Sequence, residues 1–153
     1  MTAGDRNDLL RAAMTAVRAC ADKMETQAAS LLQALPRMPT HEELRATAIE
    51  LAVGLKDASG RVTFELALLQ TELGEARTDA ASALRRLSAM DATMMRALGA
   101  MTDIVDRLES AAEADEQIEQ AYVRVIEAVA VMLRGFENAK AATEALRAGM
   151  PSG

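Results

Sequence analysis

The sequence predicts an all-α protein, an elongated helical bundle or coiled coil, on three observations. An apolar heptad seam runs from Val62 to Leu108 with no polar residue in it. No proline lies between Pro39 and Pro151, so nothing in that span forbids a helix. The apolar half of the composition is rich in Ala, Leu and Met, with ten Met, no Trp and 2% aromatic residues, which suits close helix packing better than a sheet sandwich.

The first helix is expected over about 5–35. Leu10, Met14, Val17, Ala21, Met24, Ala28 and Leu31 alternate by four and three residues, and Asp5 or Asn7 is placed to cap the start. Pro36 and Pro39 end it, through the missing amide donor and the clash of the ring with the preceding turn. Thr40, followed three residues later by Glu43, makes a capping-box pattern, so the next helix is expected to start at about His41, after a turn over 36–40.

From His41 the pattern reads as one long central helix over about 41–109. Leu44, Ala48, Leu51, Leu55 and Ala58 lead through two successive four-residue steps into Val62 and Leu66, a stutter that unwinds a coil locally. A kink at Ser59 and Gly60 is the competing reading, because Gly costs about 1 kcal/mol against Ala inside a helix. The seam then passes through Leu69, Leu73, Ala76, Ala80, Ala83, Leu87, Met90, Met94, Ala97, Met101 and Ile104 to Leu108.

Five acids fall between Glu109 and Glu119 with no base between Arg107 and Arg124, and Ser110 with Glu113 repeats the capping-box pattern. Carboxylates favour a helix start and repel one another at i, i+4 within a helix, so a turn is expected over 110–114. A last helix over 115–148 carries Ile118, Tyr122, Val125, Val129, Met132 and Phe136 on its seam, followed by a flexible tail over 149–153.

These lengths suggest an arrangement. The central helix would extend about 100 Å at roughly 1.5 Å per residue, and the first and last helices together nearly match it. Small residues, Gly74, Ala76, Ala80 and Ala83, mark its middle, where two copies could cross. The expectation is an antiparallel dimer with a four-helix cross-section. A monomeric bundle of three or four helices, broken at Gly60 and Ser110, is the alternative. On the dimer reading Leu66, Leu69, Leu73, Ala76, Ala80, Ala83, Leu87, Met90, Met94, Met101, Ile104 and Leu108 form the self-association seam. Two apolar residues off that seam, Phe64 and Met95, are candidate contacts with a further partner.

Candidate chemistry is sparse. His41 is the only histidine, which leaves no ferritin-like di-iron site within one chain, and Cys20 on an Ala-rich helix has no histidine to activate it. The acids of 109–119 lack the Asp, Asn and Gly alternation that bends a loop around a cation, and read as a solvated helix end. No phosphate-binding glycine loop or nucleophile motif is present. The expected protein is therefore not an enzyme and has no cofactor or metal site. A net charge of −6 and a pI of 4.9 oppose binding to nucleic acid, and no basic patch offsets them. The amino terminus has no apolar stretch of signal-peptide length, and Val123 to Phe136 is too short and too charged to span a bilayer, so a cytoplasmic location is expected.

The function expected from these features is that of a self-associating scaffold, adaptor or assembly factor acting through helix faces on an unidentified protein partner. In composition the chain also resembles the phasins that coat polyester granules, a likeness carried by no motif. That resemblance implies amphipathic helices on a lipid or granule surface. A third expectation is a chaperone for a helical secreted or filament-forming partner, with Met90, Met94, Met95 and Met101 as an adaptable contact surface.

Overall fold

A computed structural model describes residues 2–113 and 115–151. It is an all-α bundle of four helices: α1 (Ala3–Ala34), α2 (Glu42–Gly74), α3 (Ala80–Ala112) and α4 (Glu116–Ala148). Each has 32 or 33 residues, hence a length of about 50 Å. Consecutive helices lie side by side and α4 closes back on α1, so the chain runs up and down around a ring. Helices α1 and α3 also touch across the diagonal, whereas α2 and α4 do not among the described residues.

The continuous helix expected over 41–109 is not formed. The chain reverses at 75–79, between α2 and α3, through a C-terminal motif that satisfies the last carbonyls of α2. Ala76 takes a left-handed conformation (φ 56°), its amide donates to the Leu73 carbonyl at 3.2 Å, and the Arg77 amide donates to Glu72 at 2.8 Å. Asp79 then caps α3, its carboxylate accepting from the Ser82 amide at 2.8 Å. An ion pair between Arg86 on α3 and Glu72 on α2 holds the two helices together just beyond the turn.

The other boundaries follow local chemistry, with shifts from expectation. Thr2, not Asp5 or Asn7, caps α1: its hydroxyl accepts from the Asp5 amide at 3.1 Å and its own amide donates to the Asp5 carboxylate at 3.1 Å. The capping box expected at Thr40 and Glu43 does not form. Pro39–His41 makes a 3₁₀ turn, and the Thr40 hydroxyl instead donates to Asp115 at 3.2 Å, tying together the two connections at that end of the bundle. Ser110 remains inside α3, and Asp115 caps α4 by accepting from the Gln117 amide at 2.9 Å. Beyond α4, Met150 packs against the core rather than trailing free.

Helix α2 passes through Ser59 and Gly60 without a break. The stutter is absorbed by turning Ser59 into the interior, where its hydroxyl donates to the Ala21 carbonyl of α1 at 2.7 Å. A second close contact joins α1 to α4, where a Cβ on Gly135 would lie 3.1 Å from the Lys23 side chain and 3.4 Å from Cys20 Cα. Small residues therefore set the helix spacing where backbones meet, and Leu and Met fill the remainder.

Two substitutions test these features. Ala76→Gly should stabilise by about 1 kcal/mol, because glycine carries no left-handed penalty. Gly60→Ala should also stabilise, by about 0.5–1 kcal/mol, because Gly60 is helical, exposed and open where a methyl would sit. Urea denaturation measures both; destabilisation in either variant would contradict the turn or the uninterrupted α2.

Candidate interaction surface and the polar centre of the core

The fold divides the sequence-predicted residues into two groups. Leu66, Leu69, Ala83, Leu87, Met90, Met94, Met101, Ile104 and Leu108 are buried in the core of the single chain, and Leu73 and Ala80 are half-buried at its edge. Ala76 is exposed in the turn. Packing within one chain thus uses the seam that was expected to meet a second copy. The methionine cluster does not form a surface either: Met90, Met94 and Met101 are interior, and only Met95 reaches solvent.

Phe64 and Met95 are both outward, at 64% and 50% exposure, but on different sides of the molecule. Thr93, Arg96, Ala97 and Ala100 face α2 across a shallow groove. Met95 lies about 200° around α3 from Thr93, at 3.6 residues per turn, so it points away from α2. Phe64 does have apolar neighbours on its own helix. Val53 and Leu68 are exposed with it, and Gly60 and Ala67 lie on the same side, giving an apolar strip along the outer face of α2. A shallow hollow beside Phe64 is edged by Glu25 of α1 and by Lys56, Asp57, Arg61 and Glu65 of α2; Asp57, seven residues before Phe64, lies on the strip itself, so charges of both signs fall on and beside it.

The core has a polar centre. Cys20 from α1, Asp91 from α3 and Thr143 from α4 are buried together with Ser59 from α2. Burial pushes the Cys20 thiol up to about 12, the Asp91 charge adds to this, and Lys23 opposes it, so the thiol stays protonated and unreactive at neutral pH. Asp91 was not anticipated from the sequence. It is 9% exposed, and its Oδ1 has no hydrogen-bond partner. Burial raises its pKa above the ordinary carboxylate value and Glu144 adds to the rise, while Arg147 and Lys140 draw it back. The Thr143 hydroxyl already donates to the Ala139 carbonyl at 2.9 Å, so it has lone pairs but no second proton to offer. Asp91 therefore gains more as the neutral acid, which can donate, than as the carboxylate.

His41 is half-buried in the 3₁₀ turn, with Nδ1 3.1 Å from the Thr40 hydroxyl. Of the acids at 109–119, Asp115, Glu116 and Glu119 form the cap and first turn of α4. Among the described residues no helix is long and apolar enough to cross a membrane. Comparison with known protein families, with curated proteins and with solved structures gives no match.

Because the folded state holds the Asp91 proton more tightly than the unfolded chain, its contribution is most favourable below the unfolded carboxylate pKa and is lost as pH rises through the folded value. Asp91→Asn should therefore be more stable than the parent chain at pH 7, by about 1–2 kcal/mol, with the gap closing toward pH 4. Thermal denaturation across that range checks this; an Asn variant less stable at pH 7 would show that the carboxylate is satisfied.

Proposed function

We propose that the chain is a non-enzymatic helical scaffold or adaptor that associates with itself through the outer face of α2. The observation that carries this is the exposure of Phe64 within an apolar strip, on a helix whose inner stripe is already occupied by α1 and α3. Single exposed apolar residues are ordinary, but an aromatic ring grouped with Val53 and Leu68 is a surface that association would bury.

A two-fold pairing suits this face. With α2 antiparallel to α2 of a second copy and the axis level with Val62, Phe64 of each copy lies over Gly60 of the other. No atom lies within 4 Å of the position a Cβ would take on Gly60, so the hollow is free to receive a ring. The same pairing brings Arg61 of one copy toward Glu65 of the other, matching the mixed charge along the strip. A wider adaptor role would use the faces left outside, including Met95.

Size-exclusion chromatography with light-scattering mass detection should give twice the 16.3 kDa of the chain at high concentration and dissociation on dilution. Phe64→Glu and Leu68→Glu should each raise the dimer dissociation constant at least tenfold while leaving helical circular dichroism unchanged. A monomer at every concentration would overturn self-association. Transfer of that monomer to hydrophobic particles, lost with Phe64→Glu, would instead support the granule-surface function that the compositional likeness to phasins implies.

A further inference from the structure

We infer that the groove between the first half of α1 and the second half of α2 is a binding site for a single-chain anionic amphiphile, a carboxylate on an alkyl chain. The groove is a half-open cleft of about 540 Å³, within the range of roughly 300–1,000 Å³ of small-molecule sites. It lies on the α1 side of α2 and adjoins the strip around Phe64, sharing Ala67 with it.

Its chemistry is two-sided. Leu10 and Met14 from α1 and Leu66 and Leu73 from α2 supply apolar side chains along its length. Arg11 and Arg18 stand at its rim, seven residues apart and so on one face of α1, about 10 Å from each other along the axis. Asn7, Thr15, Thr63 and Gln70 add neutral polar groups. No acidic residue lines the groove, in a chain with 23 acids against 17 bases. Arg18 is in no salt bridge among the described residues, and Arg11 makes only a 3.4 Å contact with Asp8, both side chains at least 75% exposed. Such a pair contributes little and is readily exchanged for another carboxylate.

Length and charge point to the class of ligand. From Asn7 to Arg18 the groove follows about 16 Å of helix. An alkyl chain lies against Leu10, Met14, Leu66 and Leu73, and its carboxylate reaches one or both guanidiniums in a charge-assisted, bidentate contact. Binding through this contact is lost when the ligand carboxylate is protonated.

Laurate and its uncharged analogue dodecanol, both below their aggregation limits, test this on the full chain. Titration calorimetry should give saturable one-to-one laurate binding, at least tenfold tighter than dodecanol. Amide chemical-shift changes should be concentrated in residues 7–18 and 63–74. Arg11→Ala with Arg18→Ala should erase the preference for laurate, and Gln70→Trp, which fills the groove from an exposed position, should abolish binding of both ligands without loss of helical signal. Equal affinity for the two ligands, an unchanged preference in the double arginine variant, or shift changes centred on α3 and α4 would each overturn the assignment. Binding of an acidic amphipathic peptide, competed by laurate, would also overturn the ligand class.

Discussion

The bundle depends on the reversal over 75–79. Helices α2 and α3 each present one apolar stripe, and only by doubling back do the two stripes face a common interior with α1 and α4. A left-handed Ala76 costs about 1–2 kcal/mol. Against this stands burial of nine side chains of the seam, Leu66 to Leu108, where a fully buried Leu or Met contributes about 1.5–3 kcal/mol. The turn is thus a small local cost within a much larger gain from packing. Asp79, the paired carbonyls of Glu72 and Leu73, and the Arg86 to Glu72 ion pair reduce that cost further.

Much of the fold was legible because apolar spacing reports directly on the buried face. The helical class and most of the core follow from it, while the stop at Pro36 and Pro39 came from the prolines and the break before α4 from the run of acids. The reversal was hidden because the heptad register crosses it in phase, through Ala76 and Ala80, and because the left-handed residue is alanine where glycine is usual. Gly74 and Asp79 bracket the turn in the sequence, but Gly74 was read only as a small residue at a helix crossing and Asp79 was not singled out. The stutter at Ala58, Val62 and Leu66 carried the opposite lesson: it marked no break, only a serine rotated inward to meet Ala21.

Asp91 was missed as an interior polar group for a geometric reason, whereas Cys20 is buried as its place on an Ala-rich helix suggested. A two-position seam describes a narrow coiled-coil contact, whereas a helix in a four-helix bundle buries a wider stripe with a third position per heptad. Leu87, Met90, Asp91, Met94 and Leu98 all point inward on α3, as do Val17, Cys20, Ala21 and Met24 on α1. Tested for i, i+3, i+4 and i+7 spacing, the sequence contains that stripe. What no periodicity could give is the consequence at the surface. Once the seam is consumed inside one chain, contacts with anything else must use the outer faces, which makes the strip of Val53, Phe64 and Leu68 and the arginine-rimmed groove the informative places.

Whether the reversal occurs within one chain is tested most directly by a single intramolecular distance. Spin labels on cysteines at the exposed positions Glu43 and Arg107, in a Cys20→Ala background diluted with unlabelled protein, report the separation of the far ends of α2 and α3. The hairpin predicts a short distance, set by adjacent helix axes about 10 Å apart plus the label arms. A continuous helix would place the labels roughly 95 Å apart, and loss of the short distance on dilution would contradict the account.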